Sequence, residues 1–355
     1  MFYTRTANAY RPMNAEAATQ LTSVMAYLET LKRRGKSAFE AAQAKMPAAA
    51  QTLGGQLAKG LNCGACHDDG APISANAPDL RHTARRAVPG WLNGFLAAPS
   101  AVRPYGRQPD SGGRMPNFRH TKDELSELTA YFAGLPKTPF PKATSGPMAL
   151  TPFKREKARR FLVEKLSCLG CHRLDGQGGR IAPDLSDVAL RRPPAYIFNM
   201  LHAPQATEPG TIMPRERGRP TQKTLDLVFA YLTERRTPGV EHRYLSPAQA
   251  VPVVQSPGAS PAAADYAKYC AACHGNDGKG DGFNAAHLPT PPTDHTDGKA
   301  LGARPDDTLF DGIHVGGFVL DKSHRMPPWG DTLTREQIRA LVAHLRTLCQ
   351  CTEPA

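Results

Sequence analysis

The chain has 355 residues, 40% of them hydrophobic and 7% aromatic, and 44 Lys and Arg against 32 Asp and Glu give it a formal charge of +12. That length points to several small domains rather than one core. No run approaches the ~18 apolar residues of a membrane span, and the first twenty residues hold no apolar stretch like a secretory signal. The basic residues lie scattered in KREKARR, RRP and RERGR with no interleaved aromatics, which speaks against nucleic-acid recognition and suits a docking face for an acidic partner.

In chain order, residues 1–47 are expected to form an N-terminal helical extension. Within it, residues 13–35 read MNAEAATQLTSVMAYLETLKRRG and put Leu21, Val24, Met25, Leu28 and Leu31 on one stripe. Met13 precedes Met115 by 102 residues, and Tyr27 mirrors Tyr131 and Tyr231. The extension therefore reads either as the tail of a fourth, incomplete copy of the unit below or as an unrelated amphipathic helix, with Met13 no ligand.

Three copies of one unit follow, over 48–136, 152–237 and 262–350 (units 1, 2 and 3), with a period near a hundred residues. Each begins with an apolar-patterned helix: AAAQTLGGQLAKGLN, KREKARRFLVEKLS or PAAADYAKY. A Gly-rich loop and a proline come next (Pro78, Pro183, or the pair Pro291 and Pro292), then a middle helix in PGWLNGFLAAP, PPAYIFNMLHAP or RPDDTLFDGIHVG. A Met-Pro pair and a closing amphipathic helix end the unit. Thr121 with Glu124, and Thr334 with Gln337, form capping boxes for two of the closing helices. Leu225, Val228, Phe229 and Leu232, like Ile338, Leu341, Val342 and Leu345, fall at i, i+3, i+4 and i+7, one buried stripe each. The connections 135–152 and 237–261 are rich in proline and small residues and are expected to be extended linkers.

The cysteines carry the chemistry. Six of the eight stand in three frames, Cys63-Gly-Ala-Cys66-His67, Cys168-Leu-Gly-Cys171-His172 and Cys270-Ala-Ala-Cys273-His274. The pattern CxxCH is that of c-type haem attachment: two thiols add across the vinyl groups of one porphyrin edge, and the next imidazole lies under the iron. Zinc would need a second ligand pair for each frame, and a redox dithiol would need a βαβ context and no histidine. Neither is present. Cys349 and Cys351, in LCQC, are left over. A bridge across one residue is geometrically demanding, so free thiols, a partner bond and a local bridge all fit, and no function is assigned to them.

The order of these events resembles the class I cytochrome c fold, three times over, across residues 50–350. The resemblance implies an all-α fold of three tandem class I cytochrome c-like domains joined by Pro-rich linkers, with three covalently bound haem c groups. By the same resemblance the late methionine is the distal iron ligand, giving axial pairs His67/Met115, His172/Met213 and His274/Met326. The proline after the loop would place a carbonyl to accept from the proximal imidazole; the longer loop of unit 3 makes that role less direct there. Met200 aligns with Phe95 on the middle helix and reads as core, and His324 reads as a surface histidine. His82, His120, His202, His287, His295, His314 and His344 recur at no common position and read as solvated or core residues. Trp91, Arg103 and Tyr105 fit either propionate contacts or packing, as does Trp329.

An iron with imidazole below and thioether above has no open position, and thioether ligation raises its potential. The expected function is therefore single-electron transfer through three His/Met sites between redox partners, as a subunit of a membrane-associated respiratory or photosynthetic complex. The competing readings are a haem enzyme, such as a peroxidase or a sulfur-compound dehydrogenase, and the cytochrome subunit of a membrane dehydrogenase. Haem attachment of this kind implies a periplasmic or otherwise extracytoplasmic location.

Overall fold

The structure is a computed structural model that describes residues 3–6, 9–12, 52–67, 79–99, 115–135, 140, 148–208, 211–216, 220–235 and 260–354. The stripe expected over 13–35 and most of the two linkers lie outside the described residues, as do Pro78, Arg103 and Tyr105. The extension expected to be helical begins differently: β1 (Tyr3–Thr6) pairs antiparallel with β2 (Ala9–Pro12), from Tyr3 opposite Pro12 to Thr6 opposite Ala9. Tyrosine and threonine fit a pleated strand better than a helix, and the proline stands at the strand end, where its missing N–H matters least.

Among the described residues the other regular elements are helical apart from a two-residue pair, Arg173–Leu174 with Gln177–Gly178. Each unit contributes an opening, a middle and a closing helix. In unit 1 these are α1 (Leu53–Gly60), α2 (Pro89–Ala97) and α3 (Lys122–Gly134). Unit 2 has α4 (Pro152–Arg160), α5 (Pro194–His202) and α6 (Gln222–Thr233). Unit 3 has α7 (Pro261–Tyr269), α8 (Asp306–Val315) and α9 (Arg335–Cys349). In all three, the closing helix packs against both the opening and the middle helix.

The starts of these helices are set locally. Thr121 and Thr334 each accept from the N3 backbone N–H, while the side chains of Glu124 and Gln337 reach back to the cap N–H. Both expected capping boxes are thus formed. Pro89, Pro152, Pro194 and Pro261 occupy the first helical turn, where a missing N–H costs nothing.

Three separate hydrophobic clusters result. Leu92, Leu96, Leu125, Leu128 and Phe132 centre the first, Leu162, Leu169, Phe198, Val228 and Phe229 the second, and Tyr266, Ile313, Ile338, Leu341 and Val342 the third. Both predicted stripes are buried along their whole length. In unit 1 the crossing of α1 over α3 depends on Gly54: a Cβ there would stand 2.1 Å from the Glu127 carbonyl oxygen. Leu341, 1% exposed, sits at the middle of the third cluster. Leu341→Ala is expected to cost about 2–5 kcal/mol, read as a lower midpoint in urea with the α9 region losing its structure first.

Candidate functional site

Each CxxCH frame begins where an opening helix ends. In unit 1 the chain leaves α1 through Asn62, whose left-handed backbone (φ 54°) starts the tight turn Cys63–Ala65. The His67 N–H donates to the Cys63 carbonyl at 3.0 Å. In unit 2 a π-type turn, Phe161–Lys165, separates α4 from the helical turn Cys168–Cys171, and the His172 N–H donates to the Cys168 carbonyl at 2.8 Å. In unit 3 the turn Ala271–His274 follows α7, and the His274 N–H donates to the Cys270 carbonyl at 3.0 Å. One turn of backbone therefore presents two sulfurs and an imidazole in each copy.

The six frame cysteines form no disulfide. Burial pushes the Cys171 and Cys270 thiols up to about 12 and raises Cys63, Cys168 and Cys273 as well. These are protonated thiols in apolar surroundings, the opposite of a reactive dithiol, whose thiolate is held at low pKa. Among the described residues, no three His, Cys, Asp or Glu side chains cluster so as to hold a bare metal ion.

The imidazoles are oriented from behind. His172 Nδ1 lies 2.7 Å from the carbonyl oxygen of Pro183, eleven residues on. His274 Nδ1 lies 2.9 Å from a carbonyl nineteen residues on, which is that of Thr293 and not of either preceding proline. A ring nitrogen that donates to a carbonyl leaves Nε2 as the basic atom for iron, the second-shell arrangement usual for ligating histidines. Burial holds both rings below the ordinary histidine range, so they are neutral at neutral pH. In unit 1 the equivalent carbonyl of Pro78 lies outside the described residues.

Met115, Met213 and Met326 are all half-buried. Met115 packs against the first cluster and Met326 against the third. The Met213 N–H donates to Thr211 Oγ1 at 3.2 Å, and its carbonyl accepts from Gln205 Nε2 at 2.7 Å. Glu216, three residues on, accepts from the Ser167 N–H at 2.9 Å, which ties the methionine segment to the start of its own CxxCH frame. Met326 is held on both sides, its N–H donating to the Ser323 carbonyl and its carbonyl accepting from Gly317, each at 3.2 Å. Next to it, Arg325 is buried with Nε and Nη1 lacking any hydrogen-bond partner. In units 2 and 3 two thiols on one turn, an imidazole backed by a carbonyl and a half-buried methionine make up the donor set that haem c takes.

Several residues stand where the sequence pattern did not put them. His295 stacks on His274, ring centroids 4.1 Å apart and planes 16° apart, while its Nδ1 meets the Tyr266 hydroxyl at 2.9 Å. Burial, then the neighbouring His274 and His344, holds His295 well below the usual range. It is half-buried and backs the candidate iron ligand; only its place two residues past Thr293 could have signalled this. His324 is not on the surface: it is half-buried, with Nε2 3.3 Å from the Val163 carbonyl of unit 2. Trp91 stacks on Phe95 at 5.1 Å and lies under the Arg192 guanidinium of unit 2, and Trp329 is buried edge-on to Tyr269. Cys349 and Cys351 bond to each other, so of their three readings the local bridge is the one formed.

A pair of arginines went unnoticed in the sequence. Arg86 and Arg191 stand at equivalent positions after the two APDL segments. Each is buried and donates to the carbonyl of the aspartate in its segment, Asp79 or Asp184. Their surroundings join units 1 and 2: Arg86 pairs with Glu208 at 2.8 Å, the Val88 N–H donates to the Arg191 carbonyl at 3.0 Å, and Arg192 donates to the Arg86 carbonyl at 2.8 Å. The signal was the repeat itself, an arginine at one offset from APDL in both units.

Comparison with known proteins agrees with this chemistry for one part of the chain. The family model described as cytochrome C oxidase, cbb3-type, subunit III matches residues 258–345, which take in most of unit 3. No curated protein matches the chain. For residues 258–345 the match supports a cytochrome c domain, and with it covalently bound haem, redox partners and electron transfer. Among the described residues no helix is long and apolar enough to cross a membrane.

Proposed function

We propose that the chain is a triheme c-type cytochrome of three tandem class I domains, with His67/Met115, His172/Met213 and His274/Met326 as axial pairs. The observation that carries this reading is the repeated backing of the imidazole: His172 and His274 each donate through Nδ1 to a loop carbonyl, with a half-buried methionine after the middle helix of the same unit. Each bound haem would supply reversible one-electron redox chemistry. Cys63 and Cys66, Cys168 and Cys171, and Cys270 and Cys273 would hold the three groups covalently. With imidazole and thioether filling both axial places, each iron would have no open position, which suits electron transfer and disfavours inner-sphere catalysis.

The partners of this reading are redox proteins or other subunits of a membrane-associated complex outside the cytoplasm. The matched family is named for an oxidase subunit, which agrees with such a setting. The basic surface favours an acidic partner face. The test is a pyridine haemochrome count with magnetic circular dichroism of the purified ferric protein. Three c-type haems per chain, each with the weak near-infrared methionine-to-iron band, are expected. A haem lacking that band and carrying a high-spin signal would move the reading to a haem enzyme.

A further inference from the structure

Units 2 and 3 meet through their CxxCH frames. Asn284, fully buried in unit 3 and fixed by its own N–H to the Ala272 carbonyl at 2.9 Å, points its amide at unit 2. Its Nδ2 is 2.8 Å from the Gly170 carbonyl oxygen of the unit 2 frame and 3.3 Å from Cys273 Sγ of the unit 3 frame. A single amide nitrogen thus touches both frames. Its Oδ1 accepts from the Arg180 N–H at 2.8 Å, so the side chain is saturated in one orientation.

On the other flank of Gly170 lies the segment that carries Met326. Arg325 Nη2 donates to the Val163 carbonyl at 2.8 Å, and the Arg325 carbonyl oxygen would stand 2.1 Å from a Cβ built at Gly170. Units 1 and 3 carry alanine at this place in their frames, Ala65 and Ala272; only unit 2 carries glycine. The backbone approach that the junction needs is possible only there.

Resting on the triheme reading, we infer that units 2 and 3 form one fixed two-haem module, their attachment edges face to face, with Gly170, Asn284 and Arg325 as the residues that set the separation. Unit 1 joins through a different surface, the Arg86 and Arg191 junction, which involves no cysteine frame. Buried polar side chains saturated on both sides, such as Asn284, specify one arrangement and penalise others. The pair then exchanges electrons across a set distance, without a docking motion.

The test uses the full-length holoprotein and its variants Gly170→Val and Asn284→Ala, each with a haemochrome count. Electron paramagnetic resonance of the ferric protein is expected to show dipolar coupling between two low-spin haems. Thermal unfolding is expected to show units 2 and 3 melting in one transition. Gly170→Val should lose the coupling and split the transition in two, with three haems retained. Where Gly170→Val loses its haem, Asn284→Ala decides, because it adds no atom to the frame; it should weaken the coupling and separate the melts. Three haems with no coupling in the native protein, or coupling that both variants leave intact, overturns the inference and leaves the cytochrome reading standing. A haemochrome count of zero in the native protein would overturn the reading itself.

Discussion

With Cys270→Ser and Cys273→Ser combined, the haem content per chain is expected to fall from the proposed three to two. The two sulfurs are the only covalent attachments of unit 3 in the proposed scheme, and neither is engaged in a disulfide. A bound group that contacts the folded state and not the unfolded one contributes to stability by mass action. Unit 3 is therefore expected to lose much of its own stability together with its haem, because Cys270 and Met326 pack against its core alongside Tyr266 and Trp329. The measurement is the haemochrome absorbance per mole of protein, followed by thermal unfolding. An unchanged haem count would refute attachment at this frame. A protein that keeps two haems while one melting transition drops or vanishes would support it.

Met326→Leu is expected to have the second largest effect, and a different one. The volume is nearly conserved, so the packing cost should stay below ~1.5 kcal/mol, and all three haems should remain. One of three near-infrared methionine-to-iron bands should disappear, the site should bind added imidazole, and its potential should fall, since thioether ligation is what raises it. Met326 touches the hydrophobic core of unit 3, and methionine is a common core filler. The substitution separates those roles. Intact bands with a small loss of stability would mean that Met326 only packs.

Much of this was legible locally. The closing helices were marked by their caps and stripes because both signals lie within a few residues: Thr334 and Gln337 cap α9, and Ile338, Leu341, Val342 and Leu345 are all buried beneath it. The CxxCH frames were legible for the same reason, one turn of chain holding all three groups. The pairing of Tyr3–Thr6 with Ala9–Pro12 was not legible, because a helical stripe further along the extension is the stronger local signal. The acceptor of His274 is the carbonyl of Thr293, one residue past the proline pair, rather than that of a proline itself. The longer loop of unit 3 shifts the closest carbonyl, and loop path is not a periodic property. His295 was grouped with the unplaced histidines, since nothing in its neighbours says which ring it will face.

By itself the sequence determined three CxxCH frames, the methionine that follows each of them, the order of helices in each unit and the faces those helices bury. All of these follow from chemistry within one turn or from a period of 3.6. The tertiary structure alone decided how the units are joined: that Asn284 meets Gly170 across 114 residues and Arg325 meets Val163 across 162. A pattern of local spacing can mark Gly170 as the one glycine directly before the second cysteine of a frame, but not which carbonyl will approach it. That choice belongs to the docking of surfaces whose fit exists only once both units have folded.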